Sequence, residues 1–186
     1  MNRKVILSVP SDIQYLATVE SFAELLINRY DLSVEDQATF SRRLRATLNE
    51  AFVNVLRHTP VPDDALIEIE FEIAAQDLIM RFPDWGRGVK VAGSYPPFPQ
   101  ELVGTDHLFI KTIDGEVHMR VESANALKLW FKEAEDSTGP EKLLENVSEG
   151  GMGLSIIIKT MDETRFIWDD KKGHYLEIKK HLGRLK

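Results

Sequence analysis

The chain has 186 residues and no cysteine, and its 23 Lys and Arg against 30 Asp and Glu give a net charge of −7. This length is typical of one domain, and 43% hydrophobic residues suffice for an ordinary core, which argues against a mainly disordered chain. The acidic balance argues against general nucleic-acid binding, which needs a basic surface. The lack of cysteine excludes disulfides, thiolate metal sites and a cysteine nucleophile.

The sequence carries no recognisable targeting or membrane signal. Its first apolar run is short and is ended by Pro10, whereas a secretion signal needs a longer one. Nowhere does it contain the roughly 18 to 20 successive apolar residues of a membrane-spanning helix. We therefore expect a cytoplasmic protein that does not bind membranes.

The first 60 residues show one strand pattern and two helix patterns. Alternation over residues 5–9 predicts a short strand. Apolar residues at three- and four-residue steps over 16–30 predict an amphipathic helix. A second, longer helix is predicted to begin after Ser33, which with Asp36 forms a capping pattern, and to end before Pro60.

The middle of the sequence contains two hairpin patterns. Residues 67–73 and 78–82 alternate apolar with polar side chains, which predicts two strands with one buried face. Residues 108–119 predict a second hairpin around Asp114-Gly115. Apolar residues at helical spacing over 127–134 predict a helix after it.

The C-terminal part is predicted to form a helix over 154–162 and a hairpin over 164–180. Hairpin-linked strands with a few helices indicate an α+β, two-layer sandwich with a mixed, mostly antiparallel sheet and its helices on one face. We expect a single domain over residues 1–186, with an extended insertion at about 93–149.

Three motifs carry possible chemistry, and the first lies on the long helix. Glu50, Asn54 and His58 are four residues apart, so they share one helix face, opposite an apolar stripe. A carboxylate one turn from an amide can place a base beside an oxygen ligand for Mg²⁺. His58 adds a hydrogen-bond donor that can contact a phosphate. The alternative interpretation is a solvated polar face with no special role.

The second motif is Asp84-Trp85-Gly86-Arg87-Gly88, directly after a predicted strand. Gly86 and Gly88 allow a tight turn or a close approach to a ligand, and Asp84 can accept a hydrogen bond from a nucleobase amino group. The alternative interpretation is an ordinary turn with Asp as the turn former.

The third motif is the glycine-rich run that opens the last helix and contains Gly151, Met152, Gly153 and Leu154. Free backbone N–H groups at a helix start form an anion site when no side chains cover them. The alternative interpretation is a flexible hinge. The histidines outside the first motif are expected to pack on the surface or in hairpins; they are His107, His118, His174 and His181.

The order of the three motifs resembles that of the GHKL ATPases, which include the nucleotide-binding domains of gyrase, heat-shock chaperones and histidine kinases. Within them the sequence is most similar to the anti-sigma-factor serine/threonine kinases of the stress-response and sporulation type. Ser8-Val9-Pro10-Ser11-Asp12 and the run from Gly151 to Glu163 carry this closer likeness. The resemblance covers nearly the whole chain except about residues 93–145.

The resemblance implies a Bergerat ATP-binding fold with ATP and Mg²⁺ as cofactors. It makes Glu50 the general base, Asn54 the Mg²⁺ ligand and Asp84 the acceptor for the adenine amino group. Further cofactor-binding residues would be His58, Gly86, Gly88, Gly151, Met152, Gly153 and Leu154. Residues 93–149 would form an extended ATP lid or insertion.

The implied activity is transfer of the ATP γ-phosphate to serine or threonine of a small STAS-type antagonist, combined with sequestration of a sigma factor. No direct contact with nucleic acid is expected, and family members often form homodimers. Three alternatives stay open: an ATP-gated binding module without kinase turnover, the catalytic partner of a split histidine kinase, and a structural α+β protein with decayed motifs.

Overall fold

The computed structural model describes residues 3–58, 65–84, 88–134, 151–171 and 173–186. This part contains three α-helices and one eight-stranded sheet, which confirms the predicted α+β, two-layer architecture. The helices are α1 (Leu16–Ile27), α2 (Val34–His58) and α3 (Gly151–Thr160). The strands are β1 (Arg3–Pro10), β2 (Leu66–Ile73), β3 (Asp77–Asp84), β4 (Asp106–Thr112), β5 (Gly115–Ser123), β6 (Ala126–Glu133), β7 (Glu163–Asp169) and β8 (Gly173–His181).

The sheet has the strand order β1-β2-β3-β8-β7-β6-β5-β4. Every pairing between the described strands is antiparallel, so the sheet is less mixed than expected. The pairing of β3 with β8 joins the N-terminal hairpin to the C-terminal one. This pairing brings Asp84, at the end of β3, beside His174, near the start of β8.

One face of the sheet is apolar and is covered by the helices. On β2, Ile67, Ile69 and Phe71 point to this face and are fully buried. Phe22 of α1 meets Phe71 edge to face, with ring centroids 5.1 Å apart, and α2 packs on β3. The burial of alternate residues on the strands therefore fixes which side of the sheet the helices occupy.

The opposite face of the sheet is charged. Arg81 of β3 pairs with Glu70 and Glu72 of β2 and with Glu177 of β8, the last at 2.7 Å. Burial by itself would lower the pKa of Arg81, but hydrogen bonds and the charges of these carboxylates raise it above its usual range. The arginine thus stays charged and neutralises carboxylates that would otherwise repel one another across neighbouring strands.

The predicted helix over 127–134 is wrong, because these residues form β6. Leu127 and Leu129 are buried and alternate with the less buried Lys128 and Trp130, which is the period of two of a strand. The helix was predicted because the apolar residues of this segment also fit helical spacing. β6 pairs with β5 on one side and with β7 on the other, so tertiary pairing satisfies its backbone. The segment predicted as an insertion therefore adds three strands to the sheet.

The other predicted elements are confirmed. Ser33 caps α2, since the backbone N–H of Asp36 donates to Ser33 Oγ at 3.1 Å. The predicted hairpins correspond to β2–β3, β4–β5 and β7–β8. In the described part of the chain, no helix combines the length and the apolar character needed to span a membrane.

Gly115, at the turn between β4 and β5, offers a test of the inserted strands. An added Cβ would lie 2.2 Å from the backbone oxygen of Lys132, and its φ of +155° disfavours side chains. We expect Gly115→Ala to lower the free energy of unfolding by roughly 2 to 4 kcal/mol, as measured by urea denaturation.

The control for this prediction is Gly104→Ala. Gly104 also has a positive φ, +88°, but open space surrounds the position of its missing Cβ. In this control, the free energy of unfolding should fall only by the cost of backbone strain, roughly 1 to 2 kcal/mol. Equal losses in the two variants would show that β6 does not approach Gly115 as closely as the structure indicates.

Candidate functional site

Two of the three polar side chains predicted on α2 are described and share one face of this helix. Glu50 and Asn54 lie one turn apart and are both half-buried, whereas Phe52 on the other side is fully buried. His58 is the last residue of α2, and its side chain is outside the described part of the structure. The helix thus presents a carboxylate and an amide together, as the spacing predicted.

The carboxylate of Glu50 lies directly against the first turn of α3. A Cβ added to Gly153 would be 2.1 Å from Glu50 Oε2 and 2.9 Å from its Cδ. Only glycine leaves room for this contact. The N-terminal end of a helix carries partial positive charge, so the carboxylate is electrostatically favoured there. The contact brings the first and third sequence motifs together.

The remaining residues of the third motif show how α3 is held. The helix begins at Gly151, three residues before the predicted start at Leu154, and the surroundings of Gly151 are outside the described part of the structure. Met152 is 61% exposed, while Leu154 is 6% exposed and belongs to the core. Ser155 Oγ donates to the backbone oxygen of Met152 at 2.8 Å. Core packing by Leu154 therefore orients the first turn so that Gly153 faces α2.

Asp84 of the second motif is the last residue of β3 and is half-buried. Its cross-strand partner in β8 is His174. Gly88 has a φ of +78°, and an added Cβ would lie 2.7 Å from His174 Nε2. The structure therefore brings Asp84, Gly88 and His174 together. Gly86 lies outside the described residues.

A small cavity lies beside Asp84 under the loop that follows Gly88. Its volume is about 10 Å³, about the room that one water molecule needs. Two polar atoms on its lining residues, Asn125 Oδ1 and His174 Nε2, are buried and have no hydrogen-bond partner. Its other lining residues are Val89, Pro96, Phe98, Leu127, Phe166, Ile167, Trp168 and Tyr175.

Tyr175 is the titratable group beside this cavity whose pKa is shifted. Burial raises the pKa of its hydroxyl above the usual value, and the nearby Glu177 carboxylate raises it further. The hydroxyl is therefore neutral at physiological pH and adds no charge to the site.

The site residues form two clusters on adjacent elements, since α2 packs on β3, the strand that ends at Asp84. Within the described ranges, no three His, Asp or Glu side chains are grouped so that they could hold a metal ion. Mg²⁺ is usually held by one or two protein oxygens together with phosphates and water. Asn54, which is half-buried and one helical turn from Glu50, offers an amide oxygen of the kind that such a ligand set uses.

Sequence reasoning did not identify His174 and Asn125 as site residues. His174 was expected to pack in a hairpin, and its place beside Asp84 depends on the pairing of β3 with β8, which no local pattern shows. Asn125 lies in the β5–β6 turn, directly before residues interpreted as a helix. Recognition of the strand alternation in β6 would have placed Asn125 at the end of the sheet.

Comparison with known proteins identifies the family of the chain. The sequence matches the family model of the histidine kinase-like ATPase domain over residues 9–180. The chain belongs to this GHKL-type family. No curated protein matches the sequence. Domains of this family bind ATP, typically with Mg²⁺, and the matched range includes all the predicted site residues and the three inserted strands.

The contact between Gly88 and His174 can be tested by substitution. Gly88→Ala places a Cβ against the imidazole ring, within 2.7 to 3.3 Å of three ring atoms. Gly173→Ala is a matched control, because its φ of +75° is similar but open space surrounds it. We expect Gly88→Ala to lower the free energy of unfolding by roughly 1 to 2 kcal/mol more than the control does.

A double-mutant cycle with His174→Ala shows whether the extra loss of unfolding free energy in Gly88→Ala comes from contact with the imidazole ring. In the His174→Ala background, Gly88→Ala should cost no more than Gly173→Ala does, because the ring is gone. The unfolding free energies of all the variants can be measured by chemical denaturation. An excess that persists without the ring would contradict the contact.

Proposed function

We propose that this protein is an ATP- and Mg²⁺-dependent serine/threonine kinase that phosphorylates a small STAS-type antagonist and sequesters a sigma factor. The observation that carries the proposal is the contact of the Glu50 carboxylate with Gly153, at the start of α3. It supports the proposal because a carboxylate that would act as the general base lies beside a helix terminus, where phosphates would bind.

The phosphates would bind at the first turn of α3. Backbone N–H groups there are not used within the helix, and the partial positive charge favours anions. Met152 in this turn is 61% exposed and does not cover the helix start, and the space that a side chain at Gly153 would fill is occupied by the Glu50 carboxylate. Asn54 would supply one oxygen ligand to Mg²⁺, which neutralises phosphate charge when it is bound.

The purine would be held at the end of β3. Asp84 would accept a hydrogen bond from the amino group of adenine, and Gly88 would keep the backbone close to the base. The position of Asp84 beside a small cavity with unpartnered polar atoms supports this assignment, since such atoms gain hydrogen bonds when a ligand binds.

Glu50 would act as the general base. Its carboxylate accepts the proton of the substrate hydroxyl while the hydroxyl oxygen bonds to the γ-phosphorus and the bond from that phosphorus to the ADP oxygen breaks. Most of the rate acceleration in phosphoryl transfer comes from positioning and charge stabilisation, so the base needs only to be close and correctly oriented. Packing against Gly153 restricts the Glu50 side chain in this way.

The sigma factor, the STAS-type antagonist and the cytoplasmic setting are part of this proposal and rest on the likeness of Ser8-Val9-Pro10-Ser11-Asp12 and the glycine motif to anti-sigma-factor kinases. Homodimerisation is proposed on the same basis. The match to the histidine kinase-like ATPase family supports the nucleotide chemistry that these roles need.

A second candidate is an ATP-gated binding module without useful turnover. The observation that favours it is the packing of α3 on β4 and β6, both of which belong to the insertion. Nucleotide at the start of α3 would thereby be coupled to a sheet extension that a partner could bind. Measurement of γ-phosphate transfer to a protein substrate distinguishes the kinase from the binding module.

Nucleotide binding is the first prediction of this proposal. Mg-ATP should raise the melting temperature, because a ligand that binds only the folded state stabilises it. Asp84→Asn should weaken ATP binding roughly 10- to 100-fold, since it removes a charged acceptor. Asp31→Asn, at an exposed position outside the site, is the matched control. Equal affinity in both variants, measured by calorimetry, would remove Asp84 from the site.

Phosphotransfer is the second prediction. Glu50→Gln should bind ATP normally but transfer γ-phosphate at least about 100-fold more slowly to a STAS-type protein, because it removes the general base. Glu35→Gln, at an exposed position on the same helix, should transfer at the wild-type rate.

The chemistry of the labelled product decides between the hypotheses. Phosphate on serine or threonine survives acid, whereas phosphate on histidine does not. An acid-labile product would indicate the partner of a split histidine kinase. Normal ATP binding with no transfer to any member of a STAS panel would favour the binding module.

A further inference from the structure

A groove of about 430 Å³ lies between β6 and the C-terminal end of α3. Its volume is within the range of roughly 300 to 1,000 Å³ that ligand pockets in proteins have. β6 forms one wall, and the end of α3 with the chain that leads into β7 forms the other. The groove is thus at the opposite end of α3 from the first turn, where the phosphates would bind.

The groove is present because β7 does not follow β6 to its end. β6 continues to Glu133 and pairs with β5 as far as that residue. Its pairing with β7 ends at Leu129 and Thr164. The chain beyond this point belongs to the end of α3, at Thr160, and leaves the plane of the sheet. In the described part of the chain, residues 130–133 therefore pair with a strand on one side only.

Strand geometry decides which backbone groups of β6 face the groove. In an antiparallel strand, the N–H and C=O groups of successive residues point to opposite neighbours. The N–H of Ala134 donates to the backbone oxygen of Asp114 at 3.1 Å, on the β5 side. Even-numbered residues of β6 therefore bond to β5, whereas the N–H and C=O groups of Phe131 and Glu133 point into the groove.

Apolar side chains line the groove on the face of the sheet that carries the helices. Leu129 and Phe131 stand on this face of β6, and Ile158 and Met161 approach from the end of α3. Lys159 Nζ lies 3.9 Å from the centre of the Phe131 ring and holds the ring in place. A chain segment that pairs with Phe131 directs a side chain to the same face, where an apolar group fits.

The opposite face of β6 carries positive charge beside the groove. Lys128 and Lys132 alternate with the apolar residues and point to this face. Arg120 and Arg165, which flank Lys128 on the neighbouring strands, are paired with carboxylates. No described carboxylate forms an ion pair with Lys128 or Lys132. Acidic side chains on the second face of a bound segment would therefore find cations opposite them.

The shape of this open edge indicates the kind of partner that fits. Phe131 and Glu133 offer the backbone groups, and β7 occupies the same position in the sheet directly beyond them. A long strand or the edge of another sheet would collide with β7. Two residues along a strand span roughly 7 Å, so about four residues of an extended chain are enough to pair with both.

We infer that this groove binds a short extended peptide segment of a partner protein, through main-chain hydrogen bonds to Phe131 and Glu133 of β6. The segment alternates apolar with acidic side chains. The apolar ones face Ile158 and Met161, and the acidic ones face Lys132. The inference does not rest on the proposed nucleotide site, and the test below is carried out without nucleotide.

The probe is a fluorescein-labelled peptide of seven residues in which Glu and Val alternate, and its binding is measured by fluorescence anisotropy. Methylation of the Val amides or of the Glu amides removes the donors from one edge of the extended peptide only. One of the two methylated peptides should bind at least about 10-fold more weakly, and the other should bind like the parent. A peptide with Lys in place of Glu should bind more weakly than the parent.

Glu133→Pro tests the backbone donor on the protein. It removes an N–H that faces the groove and keeps the pairing with β5, because Pro is tolerated where the N–H faces away from the paired strand. The affinity for the Glu-Val peptide should fall roughly 5- to 20-fold. Glu133→Ala is the matched control, because it loses the same carboxylate and keeps the N–H, and it should bind at least as tightly as the wild type.

Lys132→Glu is a second variant, at an exposed position that does not belong to the core. It should reverse the preference between the Glu and Lys peptides, and urea unfolding shows that each variant is folded. The inference is overturned if no peptide binds the wild type, if both methylated peptides bind like the parent, or if Glu133→Pro and Glu133→Ala bind equally. A dimer that Glu133→Pro dissociates would also overturn it, because a second copy of the chain would then occupy the groove.

Discussion

The candidate chemistry depends on one close contact, between the carboxylate of Glu50 and the backbone at Gly153. Because Gly153 has no side chain, α2 and α3 approach closely enough for an acid on one helix to reach the first turn of the other. The first turn of α3 is oriented by the burial of Leu154, and α2 is held by the burial of Phe52. The apolar core thus sets the distance between the Glu50 carboxylate and the first turn of α3.

The second part of the site depends on the sheet. The cross-strand pairing of Asp84 with His174 brings together residues that are 90 positions apart in sequence. Gly88 allows the loop after β3 to lie directly on the His174 ring. The strands β4, β5 and β6 extend the same sheet, and the backbone oxygen of Asn125 in their β5–β6 turn accepts a hydrogen bond from the N–H of Trp168 in β7.

Much of the fold could be predicted because its signals are local. The capping pattern at Ser33 marks the start of α2, and the alternation in β2 separates a buried face from a charged one. The alignment of Glu50 with Asn54 follows from helix geometry alone. The insertion was predicted less well, because Leu127, Trp130 and Phe131 have a spacing that suits a helix, although Leu127 and Leu129 alternate as in a strand.

The sequence by itself determined the elements, the apolar faces and the order of three motifs, since backbone periodicity, capping and glycine placement are properties of neighbouring residues. Only the tertiary structure decided that Glu50 meets Gly153, that His174 stands beside Asp84, and that Asn125 reaches the same cavity. The physical reason is that these neighbours are selected by strand pairing and core packing between distant segments, and such pairings leave no periodic signal in either segment.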